Sequence, residues 1–126
     1  METEEAEQKK RILVAEDNAS NYKLIQFILS RQYSVVHAND GSEAIELYRK
    51  LRPDLILMDI SMPGMDGYMA TEEIRKISPD VPIIGLTAYA YATDREKGIE
   101  CGMNDYMTKP IIAATLRAKI KEIIGE

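Results

Sequence analysis

The sequence contains one cysteine, Cys101, and no long apolar run. A single cysteine excludes an internal disulfide and makes a reducing compartment, the cytoplasm, the natural setting; Cys101 itself reads as a free thiol in a buried helix. Without a long apolar run there is no membrane-spanning helix, and the charged start METEEAEQKK lacks the apolar stretch of a secretory signal. Basic charge is in deficit as well: 16 Lys and Arg stand against 21 Asp and Glu, a net charge of -5 at pH 7. With no basic excess to grip a nucleic-acid backbone, this domain is expected to touch neither nucleic acid nor membrane directly. Internal repeats are missing, and so is low-complexity sequence beyond the first decade. What remains is an ordinary globular composition, 45% hydrophobic and 29% charged over 126 residues, enough for one core. Residues 1–10, rich in Glu, Gln and Lys, read as a flexible tail or linker remnant, and residues 11–126 as one domain.

Three short, nearly unbroken apolar runs, Ile12-Leu13-Val14-Ala15, Leu55-Ile56-Leu57-Met58 and Val81 to Leu86, have the pattern of strands buried on both faces of a parallel sheet. Ser34 to Ala38 alternates more, and Asp105 to Thr108 is brief, so both predict strands nearer the sheet edges. Between the strands lie apolar stripes at helical spacing: Leu24, Ile25, Ile28 and Leu29; Ala44, Leu47, Tyr48 and Leu51; Ala70, Ile74 and Ile77; and finally Leu116, Ile120 and Ile124. The segment Thr93 to Cys101 is the weak helix, polar at its start, interrupted by Gly98 and short of apolar anchors, so it is expected to move. Strict alternation of strand and helix predicts an α/β fold, a doubly wound five-stranded parallel sheet with right-handed crossovers. In such sheets ligands bind beyond the carboxyl ends of the strands, where strand order reverses.

Chemistry-bearing residues follow the strands directly: Glu16 and Asp17 the first, Asp59 the third, Thr87 the fourth and Lys109 the fifth. Taken singly, an acidic pair after a strand is ordinarily a helix cap, and Lys109-Pro110 ordinarily a turn. Taken together, Glu16, Asp17 and Asp59 would repel one another, and carboxylates at adjacent strand ends call for a hard cation with all-oxygen ligation, Mg2+ or Mn2+. Lys109 adds a second positive charge and the Thr87 hydroxyl a donor, a set suited to an incoming phosphoryl group with charge spread over its equatorial oxygens. A carboxylate nucleophile then forms an acyl phosphate.

Four stretches carry these residues. They are ILVAEDNASN with Glu16-Asp17, DLILMDISMPGMDG with Asp59, Pro63, Asp66 and Gly67, PIIGLTAYA with Thr87-Ala88, and GMNDYMTKPI with Tyr106 and Lys109-Pro110. Jointly they resemble the receiver domains of two-component response regulators and hybrid histidine kinases, over about Arg11 to Ile124. The resemblance implies a flavodoxin-like sheet in the order 2-1-3-4-5. It implies Asp59 as the phosphoacceptor, Asp17 as a direct Mg2+ ligand, Glu16 as a ligand through water and the backbone carbonyl of Ser61 as a further metal contact. Lys109 would grip the phosphoryl oxygens, with the peptide before Pro110 cis, and Ala88 would keep the entry to Asp59 small. Thr87 would move toward the phosphoryl group as Tyr106 swings from exposed to buried, switching the face made by the fourth helix, fifth strand and fifth helix. Asn18 and Asn21 are expected to cap the first helix. The implied partner is a histidine kinase or histidine phosphotransfer domain, with a phosphorylation-dependent homodimer open to the domain; the chain itself is read as a phosphoacceptor and not an enzyme. The wording AEDNASN, LTAYA and GMNDYMTKPI is nearest to hybrid-kinase receivers, and the chain ends after its last helix. A C-terminal receiver of such a kinase is therefore expected, with a stand-alone regulator as the alternative.

Other readings fit less well. A phosphatase of the haloacid dehalogenase type places its nucleophile after the first strand with a second Asp two positions on, whereas Asp59 follows the third strand and Ser61 stands at that second place. A flavodoxin-like cofactor carrier needs a phosphate-cradling loop where Glu16-Asp17 would repel the phosphate. A docking-only pseudo-receiver does not need the acidic and lysine residues that are present. His37, the only histidine, lies in a strand rather than in the helical surroundings of a phosphorylated kinase histidine, and reads as structural. Met62, Met65 and Met69 read as loop packing rather than soft-metal ligands, and Asp94 to Lys97 as a solvated helix face.

Overall fold

Successive side chains of a strand point to opposite faces of a sheet, so an unbroken apolar run is stable only where both faces are covered. β1 (Arg11–Ala15), β3 (Leu55–Asp59) and β4 (Ile83–Thr87) meet that condition. Ile12, Val14, Leu55, Leu57, Ile84 and Leu86 pack on one face with residues of α1 (Ala19–Leu29) and α5 (Ala113–Ile124). Leu13, Ala15, Ile56, Met58 and Ile83 pack on the other with α2 (Gly41–Leu51) and α3 (Gly67–Ile77). β2 (Ser34–Ala38) and β5 (Asp105–Thr108) form the two edges, and α4 (Ala92–Cys101) precedes β5. The structure, a computed structural model, describes residues 9–88 and 92–125, and of residues 92–94 the backbone alone. Residues 1–8 of the expected tail, Tyr89 and Ala90 of the LTAYA stretch, and the side chains of Thr93 and Asp94 lie outside the described residues. Among those described, no helix is long and apolar enough to cross a membrane.

All strand pairs are parallel, in the order β2-β1-β3-β4-β5. Strand order therefore reverses between β1 and β3, and the crevice of this doubly wound sheet opens at their carboxyl ends. The pairing register sets Ala15 beside Met58 and Asp59 beside Leu86, so Glu16 and Asp59 emerge on neighbouring strands at the same level.

Several expectations need adjustment. Val81 and Pro82 precede β4 instead of belonging to it. Leu24 is 42% exposed, because Ile25, Ile28 and Leu29 already fill the ridge of α1 that faces the sheet. Asn18 is the N-cap of α1, but its side chain accepts the N–H of Asn21; Asn21 contributes its main chain and not a second cap. Asp40 and Asp66 cap α2 and α3 in the same way, each such cap being worth about 1 kcal/mol. Lys10, at the inner end of the expected tail, already accepts the Ser34 N–H at 2.9 Å. Cys101 is a buried free thiol that donates to the Gly98 carbonyl at 3.1 Å, and burial pushes its pKa up.

Candidate metal and phosphoryl site

Two backbone features aim the acidic residues. After β1, the Glu16 N–H donates to Ala38 O at 3.0 Å, prolonging the β1–β2 ladder by one residue before Asn18 caps α1. That turn buries the Glu16 carboxylate completely and leaves Asp17 exposed at the mouth. After β3, α3 begins against the backbone of Asp59: a Cβ on Gly67 would meet the Asp59 carbonyl oxygen and lie 2.9 Å from Ile60 Cα. Only glycine fits there. Asp59 itself is 2% exposed.

Lys109 is the cation that faces this group. Its Nζ lies 3.1 Å from Glu16 Oε1 and 3.2 Å from Asp59 Oδ2. The main-chain N–H of Ser61 donates to Asp59 Oδ1 at 3.1 Å, and that of Asn18 to Glu16 Oε2 at 3.2 Å. Neither amide donor is legible from residue type, since every non-proline residue carries one. Glu16 Oε1 is buried and ion-paired with Lys109, but that contact lacks hydrogen-bond geometry and no other described group bonds this oxygen. Burial, followed by the hydrogen bond and repulsion from Glu16, pushes the Asp59 carboxyl up to about 6 against the opposing pull of Lys109 and the Ser61 amide. Burial alone would lower the Lys109 pKa; the carboxylates of Asp59 and Glu16 reverse this and raise it.

Among the described residues, Lys109 pairs with two carboxylates of a group of three. Oxygens of Glu16, Asp17 and Asp59 all lie within 4.8 Å of one another. Clustered, largely buried carboxylates repel one another, and hard carboxylate oxygens at this spacing fit a divalent cation such as Mg2+ or Mn2+.

Thr87 ends β4 and is buried, its carbonyl accepting the Lys109 N–H at 2.6 Å, and Ala88 follows at an exposed bend. The Lys109–Pro110 peptide is cis. Tyr106 occupies the buried position of its expected pair, with the Arg95 guanidinium 5.2 Å from its ring centre. Ser61 is exposed and meets Asp59 through its amide. His37, read as structural, lies within bonding reach of the Glu16 main chain. Met62 belongs to the core and Met65 packs beside it, while Met69 is half exposed on α3 and not in a loop.

The family described as the response regulator receiver domain matches residues 12–121. A "Probable transcriptional regulator ycf27" of Guillardia theta is 44% identical over 119 residues, covering 94% of this chain and 46% of that protein. The chain spans about half the length of such regulators, 46–49% in three algae. The receiver domain of sensor histidine kinase PA1611 from Pseudomonas aeruginosa, solved with a magnesium ion in its active-site cleft, superposes with a TM-score of 0.86 at 42% identity, over 94% of this chain and 99% of that one. A chain of the co-crystal of the Saccharomyces cerevisiae histidine phosphotransfer protein Ypd1 with the receiver domain of Ssk1 gives a TM-score of 0.86 at 31% identity, over 90% and 88% of the two chains.

Proposed function

The chain belongs to the response regulator receiver domain family, and from that premise we propose that Asp59 accepts a phosphoryl group from a phosphohistidine of a histidine kinase or histidine phosphotransfer domain. The observation that carries this reading is the position of Asp59: a buried carboxylate in contact with Lys109 and adjoining two further carboxylates. An Asp59 oxygen attacks phosphorus as the phosphorus–nitrogen bond breaks, and the electron pair leaves with the imidazole. Asp17, Asp59 and the Ser61 carbonyl would hold Mg2+, with Glu16 acting through water; bound there, the cation offsets charge on the phosphoryl oxygens. Lys109, already between Glu16 and Asp59, turns its ammonium to the new phosphoryl oxygens. Ala88 keeps the entry above Asp59 open with its small side chain. The Thr87 hydroxyl donates to a phosphoryl oxygen, and the resulting shift favours the inward Tyr106 and an altered face of α4, β5 and α5.

The parent is proposed to be a hybrid histidine kinase, with the domain in the cytoplasm, on the wording of AEDNASN, LTAYA and GMNDYMTKPI and on the similarity to a kinase receiver. Transcriptional regulators of 38–44% identity, each about twice the length of this chain, favour instead a regulator not fused to a kinase, and the full coding frame decides between them. For the chemistry, acetyl phosphate with Mg2+ should add one phosphoryl mass to the intact protein, and Asp59→Asn should abolish the gain. An unchanged gain in that variant would move the acceptor elsewhere.

A further inference from the structure

The only histidine of the chain stands one strand away from the carboxylates. His37 pairs with Val14 in the β1–β2 register, and its Nε2 lies 2.8 Å from the main-chain carbonyl oxygen of Glu16. A carbonyl oxygen only accepts, so Nε2 carries a proton and donates. Tyr22, in the first turns of α1, lies flat on the imidazole, with ring centroids 3.7 Å apart and planes 9° from parallel. The stack fixes the plane of the ring, and so the direction of its N–H. Val35 and Val36, the neighbouring residues of β2, are aliphatic and equally half-buried, so the edge strand does not itself require a polar ring here.

β2 holds Glu16 twice, through Ala38 O on its amide and His37 Nε2 on its carbonyl. The Glu16–Asp17 peptide is planar, so pinning its oxygen orients the bond by which Asp17 leaves the strand. On the far side Asn18 is tied into α1 by its cap. Asp17 is exposed, and its direction is set by these main-chain restraints on both sides.

We propose that His37 is a positioning residue of the metal site: its Nε2–H, held flat by Tyr22, pins the Glu16 carbonyl and aims Asp17 at the cation. The proposal rests on the reading of Glu16, Asp17 and Asp59 as metal ligands. Two substitutions separate the donor from the ring. His37→Gln places an amide N–H near the position of Nε2, whereas His37→Phe keeps a stacking ring and removes the donor.

The experiment is calorimetric titration of the whole chain with Mg2+, together with thermal melting in chelator and the amide nitrogen shift of Asp17 in metal-free protein. His37→Phe should weaken Mg2+ binding on the order of tenfold, the lower end for partners that hold a metal ligand in place. Its metal-free melting should stay near that of the parent chain while the Asp17 amide signal moves. His37→Gln should restore most of the affinity. Unchanged Mg2+ affinity in His37→Phe, or a His37→Gln variant as weak as His37→Phe, overturns the proposal. Asp17→Asn distinguishes the two levels: if it loses affinity while His37→Phe keeps it, the positioning role alone falls. If Asp17→Asn also binds as the parent does, the metal reading falls and takes the positioning role with it.

Discussion

The two flanks of the carboxylate crevice are built differently. On the first, α1, α2 and α3 each start from an Asn or Asp side chain that accepts a main-chain N–H, and α3 buries Tyr68, Ala70, Thr71 and Ile74. On the second, the described side chains of α4 from Arg95 onward bury only at Gly98 and Cys101, and Ile99 is 61% exposed. Two cations laid over rings help to hold that helix, Lys97 at 4.6 Å from the Tyr68 ring centre and Arg95 over Tyr106. Such contacts are worth about 0.5–1 kcal/mol at exposed positions, against roughly 1.5–3 kcal/mol for one fully buried Ile such as Ile74. A cavity of about 300 Å³ lined by Arg95, Ile99 and Tyr106 lies along the same helix. The cheap rearrangement is therefore on the α4 side, and the carboxylates sit on the side that resists it. The proposed function needs both: ligands held in place, and an output face near balance between two packings.

The largest effect should come from the held flank. Asp17→Asn removes a full charge from the proposed metal site, and Mg2+ affinity should fall by more than about tenfold, since loss of a mere supporting partner already costs that much. The same site makes stability depend on pH. The Asp59 carboxyl is held at about 6 instead of its usual 3.8, so between those values the folded chain keeps a proton that the unfolded chain has released. Metal-free stability therefore declines as pH rises through that window, and the cost is fully present above about 6. A bound cation relieves it. The rise in melting temperature on adding Mg2+ should accordingly be small at about pH 5 and large at about pH 7, and a rise of equal size at both would contradict the electrostatic account.

Next in size is Gly67→Ala. The new Cβ would meet main-chain atoms of Asp59 and Ile60, which have no side-chain torsion through which to yield. Overpacking of this kind costs roughly 1–3 kcal/mol, and contact with backbone puts this case toward the upper end. Denaturant unfolding measures it. Mg2+ affinity should drop as well, because the displaced atoms carry the proposed ligand Asp59; a variant of full stability and affinity would mean that the start of α3 is not held as described.

The central strands were legible because burial on both faces leaves no place for polar residues, which is why Ile12 to Ala15 and Leu55 to Met58 read as strands directly. The grouping of candidate residues was legible because chemistry follows strand ends in this class of sheet: Glu16, Asp17, Asp59 and Lys109 lie together there, and Thr87 adjoins them through its carbonyl on the Lys109 N–H. The strand order itself came from family resemblance, since no apolar pattern states which strands are neighbours. Phe27, the only phenylalanine, is 80% exposed, and Leu24 beside it is also open. Residue type expresses a preference for burial, but what covers a helix is decided by packing elsewhere. The same limit applies to His37. Its place in a strand is legible, but its bond to the Glu16 carbonyl depends on the β1–β2 register and on a main-chain acceptor with no signature in the sequence.

The smallest expected effect tests the yielding flank at a second glycine. Gly98 lies inside α4, where glycine is about 0.5–1 kcal/mol less favourable than alanine. A Cβ there would come within 3.2 Å of Met103 Sδ and 3.9 Å of Tyr68 Cε1. The close neighbour is a thioether on a chain of rotatable bonds, so it can give by the few tenths of an ångström required, unlike the backbone that Gly67 touches. The gain in helix propensity should exceed that cost, leaving Gly98→Ala more stable by a few tenths of a kcal/mol, up to about 0.5. Amide exchange within α4 should slow, and Mg2+ affinity should not change, because no proposed ligand touches this position. Denaturant midpoints of Gly67→Ala and Gly98→Ala, measured side by side, should move in opposite directions. A loss at Gly98 as large as that at Gly67 would show α4 to be packed as firmly as α3, and the contrast between the flanks would not stand.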